Sequence, residues 1–246
     1  MNHEESKAAL AELFGREEWI ETMHALGPEQ IRGLALLSEG ILNEGPLSPK
    51  IKHFMLFIIA LAKGLESMAR LHAEAANKAG ATKMEWHEVL MVFVPSRGAQ
   101  MYRQGSELVG LKPGDAQVAA SNAPIPSTQD ILEYFRNAMG VVPPFVSMLA
   151  EEKTTLLQGY FKLRSENLKD DILPQKFKEL MLVSLNTAER YQTGVEIHAK
   201  AALACGATHE ELLDAMTASI LGGGVPGWIE GCQVYLRILP DADRAA

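Results

Sequence analysis

A single register relates the two halves of this chain. An offset of 173 − 47 = 126 lays Leu47-Ser-Pro-Lys-Ile-Lys-His-Phe-Met-Leu56 on Leu173-Pro-Gln-Lys-Phe-Lys-Glu-Leu-Met-Leu182 without a gap. The same offset carries His72-Ala-Glu-Ala-Ala76 onto His198-Ala-Lys-Ala-Ala202, and Gly80-Ala-Thr82 onto Gly206-Ala-Thr208. Three blocks sharing one register, one of them holding a histidine in each half, make an internal duplication the governing constraint on the fold. Upstream, Met23, Ile31, Leu34, Leu37 and Leu42 fall on Leu149, Leu157, Tyr160, Leu163 and Leu168, so each copy includes a preceding amphipathic segment. We divide the chain into a first repeat over residues 1–111, a connector rich in Pro, Gly, Ala and Ser over 112–128, and a second repeat over 129–246.

Within each copy the apolar residues recur at helical spacing and the helix boundaries are marked. Gly27-Pro28, Ser48-Pro49 and Leu173-Pro174 place Pro where a first-turn N–H lacks a partner in any case. Thr82 with Glu85, Thr208 with Glu211 and Ser127 with Asp130 pair a capping residue with an acid three positions on. Gly80 and Gly206 follow the histidine-bearing segments, where a left-handed closing residue is expected. No stretch alternates as a strand does, and the chain is read as all-α, a tandem duplication of a multi-helix domain.

Composition removes several classes of function. The 246 residues are 47% hydrophobic, enough for a sizeable core, and 23 basic against 31 acidic side chains give a net charge of −8 with no basic run to meet phosphates. Nucleic acid is not an expected partner. The most apolar stretch, Phe54 to Ala62, ends at Lys63 and is too short to cross about 30 Å of hydrocarbon. The first residues lack a secretory pattern, so a cytoplasmic location is expected. Cys205 and Cys232 stand too far apart for a Cys-x-x-Cys pair or a zinc knuckle and read as small buried hydrophobes.

The candidate chemistry centres on the histidines. In the second copy Tyr191, Gly194, Val195 and His198 share a helical face by three-to-four spacing. Glu179, on the preceding helix, is positioned to face His198, and a carboxylate that accepts one ring N–H raises the basicity of the other nitrogen. The first copy keeps His72 but carries His53, Leu65 and Met68 at the positions of Glu179, Tyr191 and Gly194. His72 therefore reads either as a core histidine or as a contact to substrate. Gly222-Gly-Gly-Val-Pro-Gly-Trp228 could present free N–H groups to an anion, with Trp228 beside them, or could simply turn a corner. Its first-copy counterpart contains Arg97, a carboxylate clamp by geometry or a surface residue.

The helix that ends in His, Ala-x-x-Ala and a Gly-Ala-Thr turn, as in His72 to Thr82 and His198 to Thr208, resembles the signature of the carboxymuconolactone decarboxylase and alkylhydroperoxidase D-like family. The resemblance runs over roughly Gln30 to Val109 and Pro143 to Leu239. It implies the helical fold of that family and an assembly of trimeric or hexameric character, so that a two-copy chain is expected as a homo-oligomer, a trimer. Glu179 and His198 match the Glu and His of the peroxidase branch, but Tyr191 and Gly194 stand in place of both cysteines, which disfavours thiol-dependent peroxide reduction. The decarboxylase branch implies a cofactor-free enzyme acting on a small anionic organic acid or lactone, with His198 as acid, Glu179 as its orienter and Tyr191 as hydrogen-bond donor. His72, Arg97 and Trp228 would contact the substrate. A binding protein that has lost its chemistry is the alternative reading.

Overall fold

A computed structural model describes residues 1–115 and 124–238. Positions 116–123 of the expected connector, and Leu239 at the end of the span of resemblance, lie outside them. The described residues form helices and no strands. The first copy contributes α1 (His3–Phe14), α2 (Glu18–Leu26), α3 (Pro28–Asn43), α4 (Pro49–Ala62), α5 (Glu66–Lys78), α6 (Lys83–Arg97) and α7 (Ala99–Val109). The second contributes α8 (Thr128–Met139), α9 (Pro144–Glu152), α10 (Thr154–Asn167), α11 (Gln175–Ala188), α12 (Gln192–Ala204), α13 (His209–Ala218), the single turn α14 (Ile220–Gly223) and α15 (Val225–Ile238).

The helix starts follow from local hydrogen bonding. Thr82, Thr208 and Ser127 each accept the N–H of the acid three residues on, and that acid reaches back to the cap, closing reciprocal boxes on α6, α13 and α8. Each such cap contributes about 1 kcal/mol by satisfying donors that the first turn leaves unpaired. Pro28 and Pro49 open α3 and α4, whereas Pro174 sits one residue earlier, as the cap of α11. Gly80 and Gly206 take φ of 87° and 85° and close the α5 and α12 ends as the sequence predicts.

Helices α4 and α11 pack against each other at the centre, α5 lies on α4, and α12 lies on α11. Both central helices are buried nearly all round, from Ile51 to Leu61 and from Lys178 to Ala188, which is why their sequences lack a clear polar face. One continuous core draws on both copies, running from Ile41 and Phe54 to Leu212 and Val234. Two satellite clusters lie outside it: α1 to α3 close around Leu10, Ile20 and Ile31, and α8 to α10 close around Ile131, Phe135, Val146 and Leu157.

Two buried ion pairs cross between the copies and obey the same offset. Lys52 on α4 meets Asp214 on α13 at 2.9 Å, and Lys178 on α11 meets Glu88 on α6 at 3.1 Å. The two lysines are equivalent, and so are the two acids (88 + 126 = 214). Asp214 also accepts the N–H of Leu47 at 2.9 Å, as Glu88 accepts that of Leu173 at 2.7 Å. The copies are thus related by a pseudo-twofold exchange of polar contacts.

Candidate active site in the second copy

Glu179 lies in the buried centre of α11 and is only 1% exposed. Its Oε2 stands 2.7 Å from Nδ1 of His198 on α12. Two helices connected by a tight turn hold the pair, and the turn is locked by main-chain bonds from Glu189 N to Leu185 O, Arg190 N to Thr187 O and Tyr191 N to Asn186 O. A carboxylate so deeply buried needs a hydrogen-bond partner, and the imidazole supplies it. With Nδ1 carrying a proton toward Glu179, the other ring nitrogen is left to take up or deliver a proton, and the His198 side chain keeps 14% of its surface accessible. The sequence-predicted acid–imidazole pair is therefore formed in the structure.

The other expected members of the site are placed differently. Tyr191 is the cap residue of α12 and is 54% exposed. A Cβ on Gly194 would approach its ring to 2.5 Å, so the ring lies over that glycine, one turn into the helix. His198 lies four residues beyond that glycine, and among the described residues the phenol makes no hydrogen bond to it or to Glu179.

Arg97, at the end of α6, is paired with Glu189 at the α11–α12 turn, its Nε donating to Oε1 at 3.0 Å and a second guanidinium nitrogen contacting Oε2. Its Nη1 donates to the Ser96 carbonyl at 2.8 Å. The guanidinium is thus spent on bracing one copy against the other. Trp228 lies on α15, partly buried against the shared core. The neighbouring glycines do not offer free N–H groups, since Gly223, Gly224 and Gly227 donate to Ser219, Ile220 and Gly224 carbonyls. What they provide is close packing, because a Cβ on Gly223 or Gly227 would come within 2.7 Å or 2.5 Å of the α11 backbone.

Cys205 caps the other end of α12, two turns beyond His198. Burial pushes its thiol up, and the nearby charges of Glu179 and Asp170 push it further in the same direction. A thiol held protonated by adjacent carboxylates is a poor nucleophile.

In the first copy the equivalent positions form a histidine pair. His53 Nδ1 and His72 Nδ1 lie 3.2 Å apart. His72 is 1% exposed, and burial, followed by the repulsion of His53, lowers its pKa to about 3; burial lowers that of His53 as well. As a core histidine His72 is not fully satisfied, because its buried Nε2 has no hydrogen-bond partner. The sequence signal for this pair was the His53-for-Glu179 replacement.

This fold is that of carboxymuconolactone decarboxylase-like chains. A crystal structure from Burkholderia xenovorans LB400, of a protein provisionally assigned as a gamma-carboxymuconolactone decarboxylase subunit, matches with a TM-score of 0.67 at 18% identity, covering 100% of this chain and 99% of that one. A second structure from the same organism, of a provisionally assigned carboxymuconolactone decarboxylase, matches with a TM-score of 0.40 at 29% identity, over 44% of this chain and 88% of that one. No protein-family model and no curated protein matches the sequence.

Proposed function

We propose that this chain is a member of the carboxymuconolactone decarboxylase-like family that catalyses proton transfer at carbon without a cofactor, in the second copy alone, on a small organic acid or lactone. The observation that carries the proposal is the 2.7 Å contact between the buried Glu179 carboxylate and His198. In a decarboxylation the carboxylate carbon leaves as carbon dioxide and its bonding electrons pass into the conjugated carbonyl system of the lactone. His198 then delivers a proton to the carbanionic carbon, and the imidazole is recharged from solvent. Glu179 supports the step by stabilising the imidazolium and fixing the ring, a positioning role.

The test is turnover of muconolactone-type acids, followed by mass spectrometry for loss of carbon dioxide or gain of water. His198→Gln keeps a hydrogen-bonding side chain but cannot shuttle the proton, so kcat should fall about 10²-fold or more with KM little changed. Undiminished kcat in that variant removes the proposal. The second reading, a ligand-binding protein without chemistry, is favoured by the altered first copy, and it predicts acids that bind and persist unchanged. Thiol alkylation should leave turnover intact, consistent with the raised pKa of Cys205.

A further inference from the structure

A cavity open to solvent lies between helices of the first copy. Helices α1 and α3 close over α4 and α5, and the space between them, about 340 Å³, is lined by His53 and His72. That volume lies within the usual range for small-molecule sites. Three solvent-exposed carboxylates, Glu12, Glu39 and Glu74, and one exposed ammonium, Lys78, border it, so the charge around it is negative. The two imidazoles are neutral near pH 7 because burial opposes protonation of both, and the neighbouring His53 further opposes that of His72. A neutral imidazole offers a lone pair, and the 3.2 Å contact between the two Nδ1 atoms occupies one nitrogen on each ring. In the tautomer in which His53 Nδ1 donates to His72 Nδ1, the second nitrogen of the half-buried His53 carries a lone pair and makes no hydrogen bond, which leaves it available to the cavity.

We propose that this cavity is a binding site for a small organic cation, a protonated primary amine, whose ammonium faces the glutamates and donates one N–H to His53. Carboxylates are repelled by the same lining, which separates this site from the acid-binding role proposed for the second copy. The inference does not depend on that role, since it rests on different residues and different helices.

Long-range proton–nitrogen NMR spectra of the imidazole side chains, recorded at pH 7.5 during titration with propylamine to hexylamine and with carboxylates of matching chain length, test it directly. The amines should shift the His53 and His72 nitrogens in a saturable way, and the carboxylates should not. Replacing the three glutamates together (E12Q, E39Q, E74Q) should weaken amine binding about tenfold. His53→Leu, at a half-buried position, should abolish the saturable shift of His72, with circular dichroism confirming that the fold is kept. His198→Gln should bind the amines as the unmodified chain does. Equal binding of amines and carboxylates, shifts centred on His198, or saturation by zinc ions with none by amines would each overturn the proposal.

Discussion

Arg190 has φ of 60° in the left-handed region, at the position where the first copy has Gly64 with φ of 70° (64 + 126 = 190). A non-glycine residue there costs about 1–2 kcal/mol, while the greater freedom of glycine in the unfolded chain returns about 0.5–1 kcal/mol of any gain. Arg190→Gly should therefore stabilise the protein modestly, raising Tm by about 1–4 °C in a thermal melt. A lowered Tm would show that the arginine side chain contributes more than its backbone costs. His72 gives a second prediction at this scale. Its folded pKa of about 3 lies below its ordinary value of 6.5, so between those limits the unfolded chain binds more protons and stability rises with pH. The contribution is complete above about pH 6.5 and is lost as pH falls toward 3. Urea unfolding across this window should show a slope of up to about 1.4 kcal/mol per pH unit from this group, with His53 acting in the same direction. Substituting His72 by Leu should flatten that limb, and an unchanged slope would assign it elsewhere. At the residue scale the sequence revealed Glu179 and His198, because a carboxylate and an imidazole one helix apart are a local pattern. It concealed the partner of Arg97, because Glu189 is remote in sequence and only the packing of one copy on the other brings them together.

Among elements, boundaries were the most legible feature. Caps act within four residues, and the boxes at Thr82, Thr208 and Ser127 form as their sequences specify. The role of the Gly222-Gly-Gly segment was not legible, because a run of glycines suits an anion-binding loop, a corner or a close helix crossing equally well. The structure selects the crossing: α14 and α15 approach α11 so closely that Gly227 faces the Thr187 carbonyl. Gly227→Ala would place a methyl group 2.5 Å from that oxygen, a backbone atom that cannot rotate aside. We expect a loss of about 1–3 kcal/mol in chemical denaturation, the usual penalty for overpacking a rigid contact. A neutral outcome would mean that α15 can slide outward, and α12, which also packs on α15, should then report the shift through the His198 resonances. The cover over the first copy was equally hidden, since α1 and α8 occupy equivalent places in the two copies, yet α1 docks on α5 as well as on α2 and α3, whereas α8 docks on α9 and α10.

Across the whole molecule, the duplication found in the sequence does not produce two independent bodies. Lys52 and Lys178 look like ordinary helix lysines in the sequence, and both are essentially buried, each neutralised by an acid from the other copy. Removing one partner of such a pair strands a charge in the core, at a typical cost of 3–5 kcal/mol, whereas replacing both with apolar residues of similar volume is often close to neutral. Asp214→Ala should thus lower stability by several kcal/mol in urea unfolding, while Lys52→Met combined with Asp214→Leu should recover most of the loss. Because Asp214 also holds the Leu47 N–H, part of the penalty should persist in the double variant. The pairs cross in both directions and the main core is continuous, so neither copy can expose its lysine and keep its own packing. The intact chain should accordingly unfold in one cooperative transition, with coincident curves from far-ultraviolet circular dichroism and tryptophan fluorescence, and a fragment limited to residues 1–111 should not fold by itself. Two resolved transitions, or a folded fragment, would show that the crossed ion pairs join two domains that are each complete without them.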